Sequence, residues 1–505
     1  MIETVDRIAI RALFVGLILM AVSAVGLVGQ QLPDRLSLDE AIRLAKANNP
    51  NFLSTVNDQA AANWQVREAY GQFIPSVRTS LFGTWQEAGS QRFGTIVFEG
   101  QSTDWLFSGY NVSFGLTLDG NSIFGVPQAR ANKRATEARI SAAEFNLESV
   151  VALQYMAVLR AMEAVAVAQR QLDRARQNFD IVETRVETGA AAGTEGKQAE
   201  VDLGRAEVAL IQAQRDLRQT RLLLQEQVGV PIGENVRLVS GFEVFEPAFE
   251  IDQLMQYAME EHPTLRSFRA QESASRAAAR QTATSQYLPS LSLSASLRGQ
   301  AQEALNESFV LSQAQGIANS RVSNCEFQNT LNDGLNGGLP GYTNQDCTQF
   351  AFGPADEAAI LSQNAAFPFQ FEEVPMTVSL SVSLPIFTGF SRERQVSELN
   401  NQAEDAEHAR RAEELRLRTM VTNTYDNLTS AYRVVQAEQR NRTLAEEQLQ
   451  LQQRRYALGA ADLLLLMDAQ TSVSTAERDY LNALYDFHYN LIALEAAVGR
   501  PLRVR

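Results

Sequence analysis

Histidine and cysteine are scarce in this chain. His262, His408 and His488 and the two cysteines, Cys325 and Cys347, are scattered through 505 residues. No CxxC, HxxxH or clustered Cys/His group occurs, which argues against a dedicated metal site. Basic runs are missing too. The formal net charge is −15, and an acidic balance without a Lys/Arg patch argues against a nucleic-acid partner. A Gly-rich phosphate loop and a nucleophile–base pair are also lacking, so the residues point to no cofactor and no catalysis. Proline and glycine are absent between Phe390 and Gly459. That stretch can run as a single helix of roughly 100 Å at ~1.5 Å per residue.

Gly459 can reverse such a helix, because glycine accepts the left-handed conformation of a helix C-terminus. A second helical pattern follows from about Asp462 to Val498, giving a very long hairpin with its tip at Gly459. The first half of the chain carries a counterpart. A long helix is predicted from about Gln128 to Thr188, a tip at Gly189, and a return helix from about Glu195 to Val228, its start loosened by Gly193, Gly196 and Gly204. Arg185-Val-Glu-Thr-Gly189 parallels Arg455-Tyr-Ala-Leu-Gly459, and Val228-Gly229-Val-Pro231 parallels Val498-Gly499-Arg-Pro501, glycine to glycine at one offset of 270 positions. Pro50 matches Pro263 and Pro75 matches Pro289 at a smaller offset. A kept register of this kind indicates internal duplication. The first repeat is placed at 31–240 and the second at 241–505, with an insertion at about 299–374.

The N-terminus reads as an export signal. Arg7 and Arg11 precede an apolar run, Ala12 to Val28, with small-residue cleavage candidates at Val22-Ser-Ala24 and Ala24-Val-Gly26, so residues 1–30 are assigned to a signal peptide. A permanent membrane anchor is the alternative. Leu36-Ser-Leu-Asp-Glu40 opens an amphipathic helix, with Ser37 as cap and Glu40 completing a capping box. That helix is expected to run through Asn49-Pro50 to about Gln72.

Four β segments follow the helices. Met376 to Ile386 alternates apolar residues with Thr and Ser; Leu291, Leu293, Ala295 and Leu297 alternate with serines; Tyr110 to Leu118 alternates likewise; Pro75–Gln86 does so more weakly. Period-two alternation means a sheet wet on one side. Its dry side either packs on helices or faces lipid, with the small polar residues lining a lumen. Segments of this length match the ~9–11 residues that cross a bilayer when tilted, and Phe73, Trp85, Trp105, Phe107, Tyr110, Tyr287 and Phe387 suit an interfacial girdle. Four strands cannot close a barrel alone, so the lipid reading needs several chains. The insertion is rich in Asn, Gln, Gly and Ser, shows little periodicity, and would form an outer loop part-closed by a Cys325–Cys347 disulfide in an oxidising compartment.

The duplicated order of helix, strand, strand, long helix, return helix, with Leu-Pro openings to the strands and Leu384-Pro-Ile-Phe-Thr-Gly-Phe390 leading into the long helix, resembles the TolC-type outer-membrane efflux proteins. The resemblance implies a mainly α fold with a small β part. Duplicated hairpins would form a trimeric α-barrel, and four strands per chain would join a shared twelve-stranded transmembrane barrel. It implies an exit duct in the outer membrane of a Gram-negative-type cell, with a large periplasmic portion, serving a periplasmic adaptor and an inner-membrane pump. Small molecules or drugs are the expected cargo; type I protein secretion is the alternative within the class, and a non-conducting periplasmic scaffold the alternative outside it.

Residue by residue, the resemblance places a gate at the tips Gly189 and Gly459. Tyr456 matches the family's tyrosine before the second glycine, and Thr194 and Glu195 match its Thr-Asp after the first, with Glu for Asp. Tyr456 and Glu195 can hydrogen-bond across hairpins. Asp468 matches one of the family's paired aperture aspartates, Leu465 replaces the other, and Ala461 stands where some members have a gating Arg. Asp462 joins this aperture set. A three-chain ring of Asp468 would favour cations; an ordinary wet helix face is the alternative, as packing is for Leu463–Met467. Glu187, Lys197, Arg454 and Arg455 are candidate adaptor contacts.

Overall fold

The computed structural model describes residues 35–89, 91–93, 96–98, 103–233, 236–239 and 243–502. The signal-peptide assignment lies outside them. The chain divides into two compact units, each drawing on both halves of the sequence. One comprises Met1–Ala60, Ala135–Ala270 and Glu407–Arg505, the other Ala61–Arg134 and Gln271–Ala406.

The helices are α1 (Leu38–Asn48), α2 (Pro50–Gly71), α3 (Gly120–Glu187), α4 (Gly193–Val228), α5 (Ile251–Glu261), α6 (Pro263–Ser285), α7 (Glu307–Gly334), α8 (Pro354–Asn364), α9 (Ser391–Ala457) and α10 (Leu463–Val498). The strands are β1 (Arg35–Leu36), β2 (Ser76–Gln86), β3 (Gln91–Phe93), β4 (Ile96–Phe98), β5 (Trp105–Leu118), β6 (Arg237–Leu238), β7 (Ser290–Ala304) and β8 (Glu372–Ser383). The order α1-α2-β2-β5-α3-α4 is repeated as α5-α6-β7-β8-α9-α10.

The expected helix through Asn49-Pro50 is two helices. Proline lacks an N–H and disfavours the helical region for the residue before it, and Asn49 is extended (φ −67°, ψ 118°). Its buried side chain makes a joint: Oδ1 accepts from Phe52 N–H at 3.0 Å and Nδ2 donates to Gln227 O at 2.8 Å. His262 does the same before Pro263. Nδ1 accepts from Thr264 N–H at 3.2 Å, leaving Nε2–H to donate to Ala496 O at 2.9 Å. Against these joints lie Gly229 and Gly499, at φ +79° and +85°, where a Cβ would meet Asn48 O at 2.5 Å and His262 Cα at 2.9 Å. Both the left-handed backbone and the close approach exclude a side chain. Ser37 caps α1, accepting from Glu40 N–H at 3.3 Å, while the Glu40 carboxylate turns to Arg43 at 2.8 Å instead of closing the box.

The first unit has three apolar cores. Around Tyr155 gather Leu36, Val151, Met156, Val158, Leu224, Val228 and Leu238. Tyr155 Oη lies 2.8 Å from Leu36 O and 2.9 Å from Val239 O, tying the parallel β1–β6 pair to α3. Burial pushes its phenol up to about 12. Phe487, Leu491 and Leu494 of α10 pack on Val421 and Leu428 of α9 and Leu254 of α5. The antiparallel α3–α10 seam also carries polar contacts: Arg160–Asn482 at 2.7 Å, Gln171–Ser474 O at 3.3 Å and Asn178–Gln470 at 3.3 Å. Within it Arg174 grips the buried Glu477 with two bonds of 2.9 and 2.5 Å. Helix α3 also starts earlier than predicted, because its first turns accommodate Pro127.

The second unit is built on an antiparallel sheet in the order β2-β5-β7-β8. Its register stacks like on like. Val77, Phe114, Ala295 and Val378 form one row, and Leu116, Leu293 and Leu380 another. The opposite face carries serine rows, with Thr117–Ser292 at 3.3 Å and Ser294–Ser379 at 2.8 Å. β5 and β7 run longer than their alternation suggested, so β7 takes residues 290–304 and shortens the insertion. Pro375 sits at the irregularity of β8 where the register slips against Ser296–Arg298; an edge strand tolerates it there. The insertion is not the irregular loop expected. It folds into α7, a short 3-10 turn and α8, with Cys325 bonded to Cys347. Asn329 holds the intervening loop through Gln345 O at 2.8 Å, Gln345 N–H at 3.0 Å and Tyr342 Oη at 3.0 Å. Side-chain hydrogen bonds, rather than an apolar stripe, order this region, which is why periodicity missed it.

Candidate functional site at the hairpin tips

Both tips close in one way. Gly189 and Gly459 adopt φ +74° and +71°, Ala190 N–H reaches back to Arg185 O at 2.7 Å, and Ala460 N–H to Arg455 O at 2.8 Å. The second tip leads into Asp462, the extended N-cap of α10. The hairpins share a small core of Val182, Ala199, Leu449, Tyr456, Leu463, Leu466, Ala469 and Val473.

Tyr456, only 2 % exposed, is the polar centre of this core. Its hydroxyl donates to Glu195 Oε2 at 3.2 Å, joining the second hairpin to the first. Glu195 Oε1 accepts from the Ala192 N–H at 3.4 Å, so one carboxylate starts α4 and holds the tyrosine. Burial raises the Tyr456 phenol above its ordinary 10.0; Glu195 and Asp462 add to the shift and Arg185 opposes it.

Arg185 was missed by sequence reasoning. Its guanidinium lies 4.3 Å from the Tyr456 ring centroid, donates to Tyr456 O at 2.7 Å and to Ala190 O at 3.3 Å. A planar fork stacked on an aromatic face while bonding carbonyls is suited to arginine rather than lysine. The internal repeat pairs Arg185 with Arg455, yet nothing in that pairing says which of the two crosses to the other hairpin. Arg455 stays exposed.

The helix after the second tip separates its leucines. Leu463 and Leu466 enter the core, whereas Leu464 and Leu465 are exposed, and Asp468 lies exposed on the side of Leu465. Thr194, Glu187, Lys197, Arg454 and Asp462 are exposed as well, with Lys197 paired to Glu200 at 2.8 Å. Among the described residues no group of His, Cys, Asp and Glu is placed to hold a metal ion.

The sequence profile described as outer membrane efflux protein matches residues 41–230 and 363–500, well over half of the chain. The chain belongs to the outer membrane efflux protein family. No curated protein sequence matches it significantly. Among solved structures it is similar to the Campylobacter jejuni CmeC outer membrane channel, with TM-score 0.66, 14% identity, and 92% of this chain and 85% of that one covered. It is similar to the Neisseria gonorrhoeae MtrE outer membrane channel in its open state, with TM-score 0.63, 19% identity and coverages of 92% and 89%. For the Vibrio cholerae outer membrane protein VceC the values are 0.63, 16%, 92% and 97%. At these identities the likeness is one of fold. As a family member this is an outer-membrane protein with a large periplasmic helical portion, a conduit and not an enzyme. Outer membrane efflux proteins work as homotrimers with an adaptor and an inner-membrane pump.

Proposed function

We propose that three copies of this chain assemble into the exit duct of a tripartite export system, each adding β2, β5, β7 and β8 to one closed transmembrane barrel. One observation carries this reading: Val77, Leu81 and Trp85 of β2 and Met376, Val378, Leu380 and Val382 of β8 lie together on one sheet face at 57–78 % exposure. A sheet face of that kind in water invites aggregation. In a bilayer it is the lipid-facing side, and closure satisfies the open edges of β2 and β8. The family's efflux role supports small molecules, rather than a secreted protein, as cargo. Arg185, Tyr456 and Glu195 latch the tips in the resting duct, and docking of the adaptor releases them, with Glu187, Lys197, Arg454 and Arg455 as its contacts. Asp468 and Leu465 face the aperture. The test is single-channel current from the purified protein in a planar bilayer, run beside the heat-dependent mobility of its trimer in SDS. Small cation-preferring steps from a heat-modifiable trimer are expected. A water-soluble monomer that never inserts would refute the duct and leave a periplasmic scaffold.

A further inference from the structure

The apolar face of the sheet changes character along its length. Towards the strand ends joined to the long helices it is bare: Phe114, Leu291, Leu293 and Leu297 are each exposed. Towards the ends joined to the insertion it is covered, and Ser108 and Ala301 are buried. Strand length explains why cover is needed. β5 and β7 span 14 and 15 residues, whereas ~9–11 suffice to cross a bilayer, so this antiparallel pair overshoots by about three to six residues at its outer end.

The cover is the segment leading into β8. Ser108 Oγ donates to Pro368 O at 2.8 Å, and the ring of Phe371 meets that of Tyr110 edge-on at 5.2 Å. Both Ser108 and Tyr110 share the face of Val112 and Phe114 by alternation. Asn364 fastens the base of this segment, its amide bonding both N–H and C=O of Ala304 at 2.9 Å. Pro368 and Phe371 therefore turn to the wall from the apolar side. Phe369, between them, points away and is 82 % exposed. Trp85, on the same apolar face of β2, is paired with Leu106, two residues along β5 from Ser108. It marks the same level.

We infer that residues 367–371 form a collar on the lipid side of the barrel wall, with Phe369 seated in the interfacial layer of the outer leaflet beside Trp85. The partner of this surface is the lipid, continuous with the bare strand face below it. The insertion then lies beside the barrel mouth, over the membrane, and does not plug the exit. Aromatic side chains favour that interfacial depth. This inference rests on the duct reading, and its test separates the two.

The described residues contain no free cysteine, so a single Phe369→Cys or Leu380→Cys residue takes a maleimide NBD dye without touching the disulfide. Neither substitution removes a packed side chain, and trimer mobility checks assembly. The labelled proteins are reconstituted in phosphatidylcholine vesicles carrying lipid with a doxyl group near the headgroup, and quenching is compared with that by aqueous iodide. Severalfold stronger lipid quenching at both positions is the expected result. Lipid quenching at 380 with only iodide quenching at 369 overturns the collar and leaves the duct intact. Absence of lipid quenching at 380 overturns both.

Discussion

Arg185→Ala is the perturbation that tests the tip most directly. It removes a charge-assisted bond of 2.7 Å to Tyr456 O, a longer one of 3.3 Å to Ala190 O, and a guanidinium 4.3 Å from the ring centroid. Bonds to charged groups contribute ~1.5–3 kcal/mol and a partly exposed cation–π contact ~0.5–1 kcal/mol. Discounted for the half-exposed site, the sum is about 2–3 kcal/mol per chain. That shifts the ratio of closed to open tips by roughly 30- to 150-fold. Tyr456→Phe loses one hydroxyl bond of 3.2 Å and leaves Glu195 its backbone donor, so about 1 kcal/mol, or roughly fivefold, is expected. Glu195→Gln keeps an acceptor and loses the charge, and falls between. Single-channel recording reads the order as open probability: Arg185→Ala above Glu195→Gln above Tyr456→Phe. Arg185→Lys restores little, since an ammonium cannot stack and fork at once. An intact Arg185→Ala trimer with wild-type conductance, or a Tyr456→Phe effect exceeding it, would refute the latch.

Asp468→Asn should lower cation preference, read as a reversal potential closer to zero in a salt gradient; an unmoved potential means that the carboxylate merely faces water. Arg174→Ala strands the buried Glu477 carboxylate and should cost ~3 kcal/mol, seen as a fall in thermal midpoint, while the additional Glu477→Gln change recovers part of it. His262 is held below its ordinary 6.5 by burial. Because the unfolded chain takes up the proton first, its contribution to stability is complete above pH 6.5 and declines as pH falls towards the folded value. His262→Asn, which borrows the residue of the Asn49 joint, should flatten that part of the stability–pH curve without loosening the fold at neutral pH.

Periodicity and punctuation made most of the architecture legible. A proline- and glycine-free run can hardly be anything but helix, and Gly189, Gly229, Gly459 and Gly499 are needed for their left-handed backbone. The alternation of Ser and Leu in β7 fixes which face each side chain takes. What stayed hidden was ordered by contacts that leave no period. The insertion is held by Asn329, Asn332 and Asn364 bonding to residues 16, 12 and 60 positions away, and a polar-rich stretch of that kind reads as loop. The joints at Asn49 and His262 were visible only as prolines.

The tip shows the limit most clearly, because resemblance there supplied positions and geometry supplied partners. Tyr456 and Glu195 meet as their positions suggest, but the cation beside them is Arg185, from the ascending helix of the first hairpin, while Ala461 occupies the place where some relatives have arginine. A guanidinium needs only to reach a carbonyl and a ring, and a position four residues before Gly189 reaches them as well as one after Gly459. Physical function at such a site constrains the set of contacts more tightly than the chain position that supplies each one. A substitution series built on matched positions alone would therefore test Ala461 and pass over Arg185, which makes three contacts at the tips: two carbonyl bonds and the stack on the Tyr456 ring.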